Sequence, residues 1–167
     1  MQLFLLRHGI AVEPGTRGFE DDFARPLTDK GRRQLRKNIA AIEELASKFD
    51  LILSSPLVRA KQTAEIVAKQ MKLKKRLRFT SALAPGGAAA ILVRQLEREK
   101  PAPEKVLLVG HEPDLSRLIS LFTTGGYQMQ VDFKKGGLCK LEVEKLKAGQ
   151  CARLAWLLTP KQMKLIG

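Results

Sequence analysis

The sequence predicts an α/β fold: a single-domain, layered α/β/α arrangement with a mostly parallel central sheet and antiparallel C-terminal hairpin strands. Three observations predict it. Short, fully apolar runs alternate with amphipathic helical stretches as far as residue 126, the pattern of strands buried on both faces and joined by crossover helices. From residue 137 onward, apolar and polar positions alternate in two runs separated by the turn-like "KAGQ", which marks a hairpin. The chain of 167 residues suits one domain with a substantial core and is short for two, so residues 1–167 are taken as one unit, with no internal repeat or linker.

Residues 2–6, within "LFLLRHG", form the first expected strand. "DKGRRQLRKNIAAIEELASKF" then places Leu35, Ile39, Ile42, Leu45 and Ala46 on one helical stripe. "DLILS", residues 50–54, is a second strand, and Ser55 with Pro56 supplies an N-cap and a first-turn proline for a helix reaching about Gln70. A weaker strand at 76–79 is followed by "APGG" and a helix carrying Ile91, Leu92 and Leu96, which stops ahead of Pro101. "KVLLVG", residues 105–110, is the clearest buried strand. Pro113 opens a helix with Leu115, Leu118, Ile119 and Phe122 on one face, closed by Gly125 and Gly126. "GLCKLEVEKL" and "CARLAWLLT" make the hairpin.

Composition narrows the function classes. A hydrophobic fraction of 44%, a single Trp and no apolar run long enough to cross a bilayer describe a soluble globular protein with no membrane association. The first apolar run, Leu3 to Leu6, is too short for a secretory signal, and a cytoplasmic location is expected. Cys139 and Cys151 have neither CxxC spacing nor a nearby His, so they are expected to be reduced core residues. The net charge of +13 points to acidic partners or phosphate-bearing substrates. Its densest stretch, "KQMKLKKRLR" at 69–78, has Lys or Arg at six of ten positions. It reads first as a solvated helix end and connection, and second as a docking face for an acidic protein or nucleic acid. Aromatic residues make up only 5% of the chain and form no stacking ladder, so nucleic acid is not the expected partner.

Ligands of open α/β sheets bind beyond the carboxyl ends of the parallel strands. There the first strand ends in Arg7-His8-Gly9, the second in Ser54-Ser55-Pro56 with Arg59 one turn on, and the fourth in Gly110-His111-Glu112-Pro113. A lone histidine at such a place is more often a satisfied turn residue than a reactive one. Here both histidines of the chain occupy equivalent rims. With Arg7 and Arg59 beside them, and helix N-termini nearby, they concentrate donors suited to a dianionic phosphoryl group. Gly9 is expected to supply a sharp turn and close approach of a ligand.

"LLRHG", "SSPLVRAKQTAE" and "VGHEP", in this order, resemble the histidine phosphatase superfamily, also called phosphoglycerate-mutase-like. The short chain and "DDFARPLTDKG" resemble its SixA-type phosphohistidine phosphatases, over residues 1 to 125 with the terminal hairpin also fitting. The resemblance implies that His8 is the nucleophile and carries the phosphoryl group on a ring nitrogen. It also implies that Arg7, Arg59 and His111 grip the phosphoryl oxygens, with no metal or other cofactor. Chemically, His8 must then be neutral, with its second nitrogen tied down.

The proton donor is left open. Asp22 stands where the SixA-type family carries an acid and is the first candidate, against the alternative of a solvated loop carboxylate. Glu112 is the competitor, against the alternative of an N-cap for the helix opened by Pro113. Arg25 either adds to the phosphate pocket or pairs with Glu20, Asp21 or Asp22. Larger superfamily members carry an acid-bearing insertion after the "SSPLVRA"-like motif, for which this chain has little room. An open pocket suits a phosphorylated side chain presented by a protein, such as a histidine phosphotransfer domain. Two alternatives stand beside it: a small-molecule phosphomonoesterase or phosphomutase of the same superfamily, and a non-catalytic phosphoprotein or RNA binding module.

Overall fold

The computed structural model describes all 167 residues. A strand that is apolar at every position must be covered on both faces, and Leu3, Phe4, Leu5 and Leu6 are each fully buried. They belong to β1 (Gln2–Arg7), near the middle of a sheet that also contains β2 (Leu51–Ser54), β3 (Leu77–Phe79), β4 (Lys105–Gly110), β5 (Leu138–Val143) and β6 (Ala152–Leu158). The strand order is β3-β2-β4-β1-β5-β6. The first four in that order run parallel, while β5 and β6 run antiparallel along one side, as the alternating C-terminal pattern predicts.

The helices divide between the two faces. Phe4 and Leu6 point toward α1 (Asp29–Ala46) and α2 (Val58–Gln70), packing with Leu35, Ile39, Ile42 and Val67. Leu3 and Leu5 point the other way, toward α3 (Ala89–Arg98) and α4 (Asp114–Thr124), packing with Leu92, Leu96, Ile119 and Phe122. Burying side chains of this size is worth roughly 1.5–3 kcal/mol each. The strand ends therefore stand on a rigid double-sided core.

Several boundaries differ from the sequence expectation, each for a local reason. α1 stops at Ala46 because Ser47 takes a left-handed φ of 61°, which frees Phe49 to pack edge-on against Phe4 at 5.3 Å between ring centroids. α2 begins at Val58 rather than at Pro56, with Leu57 in the N-cap position and no side-chain cap. Ser55 is therefore not its N-cap, and its hydroxyl serves another partner described below. Residues Lys74–Arg76 form a 3-10 turn ahead of β3, which starts at Leu77. A short helix not expected from the sequence, α5 (Pro160–Met163), packs beside α1 and is held by a capping box between Thr159 and Gln162. Cys139 is buried and Cys151 half-buried, and both are free thiols.

Parallel pairing sets the functional rim. Arg7 of β1 lies opposite Gly110 of β4, so the next residue of each strand is a histidine, and His8 N–H donates to the Gly110 carbonyl at 3.1 Å. Ser54 of β2 lies opposite Val109, which brings Ser55 alongside His111. The turn after β1 is fitted closely to α1. A Cβ on Gly31, in the first turn of that helix, would overlap the Ile10 carbonyl oxygen, and that oxygen accepts the Thr28 amide at 3.0 Å. Gly31→Ala is expected to cost about 1–3 kcal/mol through this collision, read as a lower urea midpoint with an unchanged m-value, and to lower turnover by displacing the residues after His8.

Candidate active site

His8 and His111 face each other with ring centroids 5.1 Å apart, both more than nine-tenths buried. His8 Nδ1 lies 2.8 Å from the Gly9 carbonyl oxygen. A carbonyl only accepts, so Nδ1 carries the ring proton and Nε2 keeps its lone pair. Gly9 is itself fixed, because its N–H donates to Thr63 Oγ1 at 3.1 Å and the Thr63 hydroxyl donates to the Arg59 carbonyl at 2.8 Å. Thr63 thus ties the histidine turn to the helix that carries Arg59. Nothing local in the sequence marks Thr63 for this role, because its partner Gly9 is 54 residues away along the chain. Gly9 does not have a left-handed φ, and a Cβ there would crowd Leu27 Cδ2 at 3.3 Å. Packing against Leu27, rather than a strained turn, is what a side chain at position 9 would disturb.

Electrostatics hold both imidazoles neutral. Burial, followed by His111, Arg59 and Arg7, pulls His8 down to about 3 against the pull of the Gly9 carbonyl, and burial with Arg59 as the next contributor pulls His111 down to about 4. The arginines are anchored through their terminal nitrogens. Arg7 Nη1 donates to the Phe133 carbonyl at 2.6 Å, while Arg59 donates to the Asp22 carbonyl at 2.6 Å and to Asp22 Oδ2 at 2.9 Å. Arg7 Nε, Arg59 Nε and His111 Nδ1 are buried with no partner within the protein. An unmet buried donor costs about 1–3 kcal/mol. Three of them on the strand-end cluster give it the unmet donor capacity that an oxyanion would satisfy.

Ser55 has a different place from the one its sequence context suggested. Its Oγ accepts the Leu57 N–H at 3.3 Å and lies 2.8 Å from His111 Nε2. The hydroxyl can donate to Nε2 while it accepts that amide, and we assign this sense, which puts the proton of a neutral His111 on Nδ1. His111 can then donate from Nδ1 without being charged.

The two candidate proton donors sit in opposite environments. Asp22 starts a 3-10 turn, Asp22–Ala24. Partial burial raises its pKa, but hydrogen bonds from Arg25 and Arg59 outweigh that and leave it lowered. It is an ionised counter-ion that bridges both guanidiniums, 2.5 Å from Arg25 and 2.9 Å from Arg59. Arg25 therefore pairs with a loop acid, one of the two roles foreseen for it, and also donates to the Val12 carbonyl at 2.5 Å. Glu112 is shifted upward by burial, against the pull of Ser116 and Arg7. Its carboxyl accepts from the Ser116 amide at 3.1 Å and from the Ser116 hydroxyl at 2.5 Å. Pro113 occupies the N-cap position of α4, so Glu112 caps the helix from one residue further out. No group of three or more His, Cys, Asp or Glu side chains is arranged to hold a metal ion, and no helix is long and apolar enough to cross a membrane.

Comparison with known proteins agrees with this geometry. The family model for the histidine phosphatase superfamily (branch 1) matches residues 3–83. An uncharacterized protein of Picosynechococcus sp. is 35% identical over 164 residues, covering 96% of this chain and 98% of the other. The chain belongs to the histidine phosphatase superfamily. Membership implies phosphoryl-hydrolase chemistry. Among solved structures, the protein histidine phosphatase SixA in complex with tungstate superposes with a TM-score of 0.80 at 23% identity, covering 96% of this chain and 98% of that one. The mycobacterial glucosyl-3-phosphoglycerate phosphatase superposes with a TM-score of 0.74 at 17% identity, covering 98% of each chain. Both share the fold.

Two measurements test the site. Between the unfolded histidine value of 6.5 and the folded values of about 3 and about 4, the unfolded chain binds more protons than the folded one. Stability is then complete above pH 6.5 and falls as the pH drops through that window. Nitrogen-15 NMR should show both rings neutral at pH 5.5, and a ring that titrates near 6.5 would contradict the burial argument. Ser55→Ala is expected to lower kcat/KM about tenfold, the worth of one hydrogen bond of roughly 1.4 kcal/mol, and to shift His111 toward the other tautomer in the same spectra.

Proposed function

We propose that the chain is a metal-independent phosphatase that works through a phosphohistidine intermediate on His8, with phosphohistidine in signalling or phosphotransfer proteins as its substrate. The observation that carries this reading is the Nδ1 bond to the Gly9 carbonyl, which leaves Nε2 as a lone-pair nucleophile among unmet donors. In the first step His8 Nε2 forms a bond to phosphorus as the bond to the leaving nitrogen or oxygen breaks. The charge on the equatorial oxygens is met by Arg7, Arg59 and His111. Side-chain cations thereby serve where magnesium does in many phosphoryl transfers.

In the second step water attacks phosphorus, the P–Nε2 bond breaks, phosphate leaves and neutral His8 is restored with its proton still on Nδ1. We assign the leaving-group proton to Glu112 in preference to Asp22, because half-burial shifts the Glu112 carboxyl upward while hydrogen bonds from two guanidiniums shift that of Asp22 downward. Asp22 instead holds Arg59 in place until a dianion competes for it. A phosphohistidine substrate needs little from the acid, since its leaving imidazole takes a proton readily from solvent. A second reading, hydrolysis of a small phosphomonoester, is favoured by the fold shared with glucosyl-3-phosphoglycerate phosphatase.

Turnover of a phosphohistidine domain and of a sugar phosphate is compared in EDTA. We expect turnover of the phosphoprotein, an acid-labile, base-stable phosphoenzyme, and a loss of more than about 10³-fold in His8→Ala. Full activity in that variant, or activity on the sugar phosphate alone, would overturn the first reading. Glu112→Gln is expected to slow alkyl phosphates by about 10²-fold or more and phosphohistidine much less, with the contrast read from kcat/KM on both substrates.

A further inference from the structure

A cavity of about 330 Å³ opens between α4 and the segment that joins β3 to α3, and His111 forms part of its wall. Its lining is otherwise mostly apolar, with Leu83, Leu92, Leu115, Leu118 and Leu121 contributing side chains. At its edge the Asp114 carboxylate is engaged by its neighbours. Asp114 Oδ2 accepts the Gly86 amide at 3.0 Å, and Asp114 Oδ1 lies 3.8 Å from Arg117 Nη1. The wall is also preformed: Gly86 holds a φ of 77° that a side chain would strain, and a Cβ on Gly87 would collide with the Ala82 carbonyl. Tyr127 lines the same cavity and is 66% exposed.

The cavity shares His111 with the phosphoryl site, where the same ring stands 5.1 Å from that of the nucleophile. A group seated in it is therefore one imidazole away from phosphorus. We propose that this cavity is a leaving-group subsite that takes an apolar or aromatic group attached a few atoms from the phosphoryl group. This rests on the phosphatase reading and adds a substrate class to it. The occupant is apolar because the walls offer mostly alkyl surface and a phenol face, with Arg117 exposed at the rim and drawn toward Asp114. Two sources have this chemistry: the apolar part of a small phosphoester, and an apolar side chain next to the phosphorylated residue of a protein.

The test is the affinity of non-hydrolysable alkylphosphonates from methyl to hexyl, measured by calorimetry. Each methylene that enters the cavity should tighten binding about fourfold, over the first several carbons. Ala89→Phe, which fills the cavity from the start of α3, should flatten that dependence, and Tyr127→Ala, at an exposed position, should weaken it without risk to the fold. An affinity independent of chain length, or a dependence that both variants leave intact, overturns the subsite. Methylphosphonate binding with no chain-length gain leaves the phosphatase reading standing while this inference fails, and no binding by any phosphonate sinks both. The sources are separated by kcat/KM for hexyl against methyl phosphate, and for phosphopeptides with Leu against Ser beside the phosphorylated residue. A gain in either arm supports the subsite and names its source, and a gain in neither overturns it.

Discussion

The parallel register of β2, β4 and β1 is the constraint on which the rest of the site depends. Arg7 opposite Gly110 and Ser54 opposite Val109 bring three strand ends level, so that His8, His111 and Ser55 meet although they are far apart in the chain. A shift of one residue in any pair would turn each side chain to the other face of the sheet. The shift is prevented by burial. Leu3 and Leu5 pack one way and Phe4 and Leu6 the other, so slippage of β1 would exchange the contents of two cores.

On this frame the site combines two neutral rings with cations, of which Arg59 and Arg25 share the Asp22 carboxylate. Arg7 and Arg59 are desolvated, which lowers their pKa values, and each is held by a backbone carbonyl. A charge can stay in such surroundings when it is hydrogen-bonded, and these carbonyls supply that without neutralising it. Asp22 supplies the one direct counter-charge to Arg59 and sits on a half-exposed turn. Its attachment can yield to a dianion at lower cost than a buried carboxylate could. Burial does most to keep His8 unprotonated, and Arg59 and Arg7 add to it.

The strongly basic surface belongs elsewhere. Lys48, Lys69, Lys72, Lys74, Lys75 and Arg76 line an open hollow at the start of β2 and β3, the edge of the sheet opposite the histidines. The densest positive charge of the chain therefore contributes no direct contact to the phosphoryl site. Its influence there is limited to the long-range attraction that salt screens beyond roughly 10 Å.

The alternation of apolar strands with amphipathic helices, and the three motifs at the strand ends, were readable from residues alone, because burial periodicity and residue chemistry are local properties. So was the presence of Arg7, His8, Arg59 and His111 at strand ends, which the pairing of β1, β2 and β4 gathers into one cluster. The role of Ser55 was not readable: Ser-Pro at a helix start looks like a cap in any sequence, and only the β2–β4 pairing turns its hydroxyl to His111. Thr63 was overlooked for a similar reason, since its partner, Gly9, comes from another strand end. The different surroundings of Asp22 and Glu112 also belong to the tertiary structure. Two carboxyls of nearly equal intrinsic acidity part company once one is clamped by arginines from a loop and a helix while the other is half-buried at the start of α4. Sequence determines which groups are present, and long-range packing determines the neighbours that fix their protons.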